Sequence, residues 1–274
     1  MKNQSKNRER NSSRLSKLGY KLPREHGLTG IWLISVLLGV GLSLTGKFHL
    51  EGLLLSLTFS ILVILSSNSI IETIKRKSTG ISWIPLLSIF IIVFLIIIWK
   101  PVWEILLVLA ILGLLTSGWF VFALQSRQLS PYELIFGSIA FTMMTPFIFI
   151  VSTIHIPIEI SFKAFTISWI NIGVTSLMIL YVESLRGKVP TNSPLVVWSF
   201  FLVSFIPLIL VQWLHPISLI AVIEPTFLSV HQAWKKELLK VSKKPIKTVG
   251  IQLLLRLFVF GILILVTIPI TFNL

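Results

Sequence analysis

Apolar runs of about twenty residues, returning one after another along the chain, leave this sequence few ways to fold. A run of that length crosses the roughly 30 Å of bilayer hydrocarbon as an α-helix, whose backbone N–H and C=O groups are satisfied internally. Nine runs fit, near 28–45, 52–71, 81–99, 102–124, 131–154, 163–182, 194–213, 216–233 and 249–271. The expected fold is therefore all-α: a polytopic membrane protein with about nine transmembrane helices in one domain over 25–274, preceded by a polar segment at 1–24. Composition agrees, since 12% of residues are charged and 54% hydrophobic, against about 25% charged in soluble domains.

The chain contains no cysteine, which excludes disulfides, thiolate catalysis and cysteine-held metals. All ten acidic residues are glutamates. A net charge of +14 would suggest nucleic acid in a soluble protein. Here the basic residues stand beside the spans, so anionic lipid headgroups are the expected partner and nucleic acid is not. Segment 1–24 carries eight Lys or Arg against one Glu. It reads as a retained cytoplasmic tail, disordered up to about Lys17, although organelle transit peptides share its composition.

Basic residues also orient the spans, because cytoplasmic loops of membrane proteins are enriched in Lys and Arg. With nine spans and the amino terminus inside, the inner segments hold twenty Lys and Arg. The outer loops hold three, Lys47, Lys100 and Lys163, while Arg256 lies within the last span. The expected location is the cell membrane, with the amino terminus cytoplasmic and the carboxyl terminus outside. Lys100-Pro101 and His215-Pro216 are tight breaks that make hairpins of neighbouring spans. Pro146 and Pro207 lie inside spans and are candidate kinks, tolerated where neighbouring groups satisfy the freed carbonyls.

Two polar clusters end spans on the expected cytoplasmic side. Asn68 and Glu72 close the second span, four apart and so on one helix face, with Lys75 and Arg76 following. Glu183, Arg186 and Lys188 close the sixth. Each cluster alone also reads as an interfacial helix end, with Glu72 paired to Lys75 or Arg76. Together, an amide, two carboxylates and several cations are a set able to hold a metal-bound anion.

This layout, with polar motifs after helices two and six and a cytoplasmic amino terminus, resembles the UbiA superfamily of intramembrane prenyltransferases. The family's first motif reads Asn-Asp-x-x-Asp-x-x-x-Asp, and its second resembles Asp-x-Glu-Gly-Asp-Arg. Asn68 falls on the Asn of the first and Glu72 on its second acid, while Ser69 and Arg76 stand where the family has Asp. In the second motif Glu183 and Arg186 match, and Tyr181 and Leu185 replace aspartates. The resemblance implies Mg²⁺ held by Asn68, Glu72 and Glu183, and a prenyl diphosphate or other phosphorylated lipid gripped by Arg24, His26, Lys75, Arg76, Arg186 and Lys188. It implies prenyl transfer, in which loss of the diphosphate leaves an allylic cation open to an acceptor. The altered acids give the alternative: a non-catalytic lipid-binding, transport or accessory membrane protein on the same fold.

Leu22-Pro23-Arg24-Glu25-His26-Gly27, directly before the first span, resembles the opening of the YwiC-like family of bacterial membrane proteins. Arg127 and the Glu133-Leu134 pair opening the fifth span also fit that family. Arg24 can grip a phosphate bidentately, and Glu25 can orient His26. The same run also suits an amphipathic entry whose charges touch headgroups. No histidine pair supports a haem or zinc site. Glu224, before Pro225 in the eighth run, would need a partner such as Arg256; a proton-coupled carrier built on it is a third reading.

Overall fold

The computed structural model describes residues 26–45, 48–76, 83–100, 103–126, 131–153, 158–185 and 246–272. These form eight helices: α1 (His26–Leu44), α2 (Leu50–Arg76), α3 (Trp83–Trp99), α4 (Trp103–Ser126), α5 (Pro131–Thr142), α6 (Met144–Ser152), α7 (Ile158–Leu185) and α8 (Ile246–Phe272). Among the described residues there is no strand, only an isolated antiparallel bridge between Phe48 and Thr153.

Among the described residues, five stretches are long and apolar enough to cross a membrane: Gly27–Leu44, Leu50–Ser67, Leu134–Ser152, Ala164–Glu183 and Thr248–Val266. They coincide with the first, second, fifth, sixth and ninth expected spans. The third and fourth form shorter apolar helices, Ile84–Trp99 and Trp103–Gly118. The runs at 194–213 and 216–233, the tail and the carboxyl-terminal pair 273–274 lie outside the described residues. The helices are compatible with a multi-pass membrane protein. So is the surface of α3 and α4, where Leu87, Phe90, Phe94, Ile98 and Leu114 are exposed, because an apolar face of this extent suits hydrocarbon better than water.

α6 is the axis of the bundle: all nine of its residues are buried, and α1, α2, α4 and α7 all pack against it. Helices in lipid gain little from apolar burial, so close approach of small residues and interhelical hydrogen bonds hold them together. α1 offers Ser35, Gly39 and Ser43 at four-residue spacing, one small residue per turn on one face. Thr145 donates to Ser35 O at 3.0 Å, and Ser152 Oγ lies 2.6 Å from Ser43 Oγ. Between them, a Cβ on Gly39 would stand 3.0 Å from Thr145 O and 2.9 Å from Ile148 Cβ. α2 repeats the device with Gly52, Ser56 and Ser60. A Cβ on Gly52 would meet Val151 O at 2.6 Å, and Phe59 packs on Phe147 with ring centroids 4.5 Å apart.

α5 and α6 are one span broken at Met143. Pro146 has no N–H, so Thr142 O loses its helical donor. Ser168 of α7 replaces it, donating to Thr142 O at 2.9 Å. Either side of the break the ladder continues, with Met143 N donating to Ile139 O and Phe147 N to Met143 O. At the proline expected as a candidate kink the helix is interrupted at Met143, and the carbonyl freed by Pro146 is satisfied from a neighbouring helix.

Helix directions follow from the contacts. Trp32 Nε1 donates to Ser60 Oγ at 2.7 Å, so α1 and α2 run antiparallel, as their short connection requires. Ser168 meets Thr142 while Leu180 packs on Ile135, so α7 runs antiparallel to α5. Leu254 faces Gly30, Ile34 faces Gly261 and Leu265 faces Gly41, so α8 runs parallel to α1. At the far end, Lys100 Nζ donates to Ile150 O at 2.7 Å and also to Thr153 O, placing a cation on the carbonyl-rich end of α6. His49 N donates to Ser152 O at 2.7 Å, and the His49 ring meets Trp99 edge-on.

Candidate functional site

The antiparallel order carries the carboxyl ends of α2 and α7 to the end of the bundle where α1 begins with His26. Two cross-helix contacts set their heights. Trp32 is level with Ser60 on α2, and Ser35 is level with Asn171 on α7, whose Nδ2 donates to Ser35 Oγ at 3.0 Å. At 1.5 Å of rise per residue, Glu183 then comes level with residue 69, beside Asn68, and Glu72 stands about 4.5 Å farther along the axis. Were the helices ideal and untilted, the two expected clusters would fall at nearly one height. Laterally, α1 and α6 each pack against both α2 and α7.

Glu183 is 1% exposed, with Tyr181 and Val182 half-buried beside the core. A carboxylate so placed, one turn from a helix end, is costly in hydrocarbon and belongs where polar groups converge. Asn68, Glu72, Lys75 and Arg76 fall in the last turns of α2, and His26 opens α1; their side chains lie outside the described residues. Arg24, Arg186 and Lys188 lie outside them entirely, as does Glu224. Arg256 is half-buried on α8. Among the described residues, no group of three or more His, Cys, Asp or Glu is arranged to hold a metal ion. The donors proposed for Mg²⁺ include one such described carboxylate, Glu183. As hard oxygen donors, an amide and two carboxylates suit Mg²⁺ in kind, though they are few.

A second concentration of polar groups was not anticipated from the sequence. Ser35, Ser138, Thr142, Thr145, Ser168, Asn171, Thr175 and Ser176 are all 0–1% exposed in the bundle interior. Asn171 Oδ1 and Ser176 Oγ are buried with no hydrogen-bond partner among the described residues. The signal was available: Asn171 interrupts an apolar run at membrane depth, where polar side chains tend to be functional.

Comparison with family models, with curated proteins and with solved structures finds no match for this chain.

Proposed function

We propose that this chain is a UbiA-like intramembrane protein that binds a prenyl diphosphate, or another phosphorylated lipid, at the end of the bundle where α2 and α7 finish. The observation that supports the reading is that α2 and α7 finish at the same end of the bundle, where Glu183 is buried. Mg²⁺ held by Asn68, Glu72 and Glu183 would neutralise the diphosphate when bound. Arg24, His26, Lys75, Arg76, Arg186 and Lys188 supply donors to its free oxygens.

The wider reading is nine spans in the cell membrane with the amino terminus cytoplasmic. In its support, α7 ends and α8 begins at the same end of the bundle, which suits the two further spans expected between them. The basic asymmetry supports a cytoplasmic location for that end. The YwiC-like resemblance rests on Pro23, Arg24, Glu25 and His26, at the same end.

Binding without transfer is favoured over transfer by the residues that replace the family's acids. Ser69, Arg76, Tyr181 and Leu185 occupy four such positions, and departure of a diphosphate requires a preorganised clamp on developing charge. The test is equilibrium binding of radiolabelled farnesyl diphosphate to the purified chain, with Mg²⁺ and with EDTA, against farnesol. Saturable binding of the diphosphate with little of the alcohol supports the site; equal binding of both sinks it. Release of pyrophosphate on incubation would show that transfer chemistry survives.

A further inference from the structure

The interior cluster is separate from the site above, since Asn171 lies twelve residues, or about 18 Å along α7, from Glu183. Within it, the hydrogen bonds of Ser35, Thr142, Thr145 and Ser168 account for their hydroxyl protons. Ser35 donates to Ile31 O at 2.7 Å, Thr142 to Ile139 O at 2.8 Å, Thr145 to Ser35 O at 3.0 Å and Ser168 to Thr142 O at 2.9 Å. Each hydroxyl hydrogen goes to a backbone carbonyl, so the hydroxyls have lone pairs left to offer. Asn171 Nδ2 donates to Ser35 Oγ at 3.0 Å, while Asn171 Oδ1, fully buried, receives no hydrogen bond among the described residues.

These five residues are therefore rich in acceptors and short of donors. An amide oxygen left without a partner in an apolar interior is costly, and its natural complement is an occupant that only donates or is positive. None of the five residues titrates near neutral pH, so the occupant is not a proton stored on a side chain. No carboxylate is among them, which disfavours a divalent ion. Neutral oxygen dipoles can instead replace the hydration shell of a monovalent cation. The break at Met143 adds to this, because Pro146 releases Thr142 O from the helical ladder, and carbonyls at broken membrane helices are suited to ions.

We infer that Ser35, Thr142, Thr145, Ser168 and Asn171 form an intramembrane site for a monovalent alkali cation, built from α1, α5, α6 and α7 around the proline break. The Asn171 amide oxygen is its central ligand. The site ties ion binding to the packing of α1 and α7 on the broken span.

The test uses the full chain in nanodiscs of uncharged lipid, unfolded thermally in NaCl, KCl or choline chloride at equal concentration. At about ten times Kd, the bound ion should raise Tm by about 3–5 °C over choline, and the effect should saturate. Whichever of Na⁺ and K⁺ acts identifies the ion. Asn171→Ala should remove the dependence, while Ser43→Ala, nearer the other end of α1, should keep it. Equal Tm in all three salts overturns the site, as does a shift that survives Asn171→Ala. If Asn171→Ala does not fold, radiolabelled sodium and rubidium binding to the unmodified chain decides. Displaceable binding of about one ion per chain supports the site, and no binding overturns it.

Discussion

Ser168 donates to the carbonyl oxygen of Thr142 over 2.9 Å, supplying from α7 the hydrogen bond that Pro146 withholds within its own span. The two residues make a thermodynamic pair with a distinctive signature. Ser168→Ala should destabilise the protein by about 1–2 kcal/mol, because a buried carbonyl loses its donor. In a Pro146→Ala background, where the backbone N–H returns, the same change should cost less than about 0.5 kcal/mol. A double-mutant cycle of detergent-unfolding free energies measures the coupling; equal costs in both backgrounds would refute the pairing.

At Gly39, α1 approaches α6 closely, with Thr145 O and Ile148 Cβ about the position of a Cβ. Gly39→Val should lower stability by about 2–3 kcal/mol, since neither neighbour is the end of a flexible side chain. Gly113 of α4 has nothing within 4 Å of that position. Gly113→Ala should be neutral or stabilising by up to about 1 kcal/mol, the helix-propensity difference. Thermal unfolding of both variants gives the comparison.

Lys100 carries a pH dependence of definite sign. Burial lowers its pKa from 10.5, and the Glu104 carboxylate partly opposes the shift. Below the lowered value the ammonium is charged both folded and unfolded, and its burial weakens the fold. As pH climbs from there to 10.5 the folded chain releases its proton while the unfolded chain keeps it, so stability rises. The neutral amine still has two N–H groups for Ile150 O and Thr153 O. Stability of the native chain minus that of Lys100→Met should therefore increase with pH across this alkaline window, read from paired denaturation curves. A flat or falling difference would disprove it.

Much of this was written in single residues. Spans show in sequence because hydrocarbon thickness dictates run length, and Pro146 announces a break in the ladder because its missing N–H is a covalent fact. The identity of its rescuer, Ser168, was not legible, since hydropathy says nothing of which helix lies alongside. Ser35, Gly39 and Ser43 stood in plain view at four-residue spacing, yet small residues barely alter a hydropathy window. Asn171 was likewise averaged away by its apolar neighbours. For the candidate site, the shared end of Glu72 and Glu183 followed from counting spans. Their lateral relation did not, because the packing of α1 and α6 against both α2 and α7 is set by tertiary structure alone.

The proposed nine-span topology makes a prediction about sides. Reporter fusions after Arg127 and after Leu274 should report opposite faces of the membrane, the first cytoplasmic. Activity of both reporters on one side would remove the count.

For the lipid site, cations should outweigh acids in binding. Arg76→Ala or Arg186→Ala should weaken phosphorylated-lipid binding by about 1.5–3 kcal/mol, the range for charge-assisted hydrogen bonds, and Glu72→Gln should weaken it less. Titration of labelled farnesyl diphosphate into each variant reads this directly. Absolute dependence on Mg²⁺, with Glu72→Gln abolishing binding and Arg76→Ala sparing it, would favour the metal-dependent enzyme instead.

The parallel pairing of α1 with α8 has a consequence for biogenesis. About 200 residues separate the end of one from the start of the other, which ribosomes need about 10–40 s to translate at about 5–20 residues per second. Throughout that interval the α1 face that will receive Leu254 and Leu265 waits in the bilayer without its partner, so lipid or a membrane chaperone must occupy it first. Closing the bundle is thus a late, post-insertion event, and a chain truncated before Ile246 would leave the membrane holding an open bundle, a natural substrate for quality-control proteases.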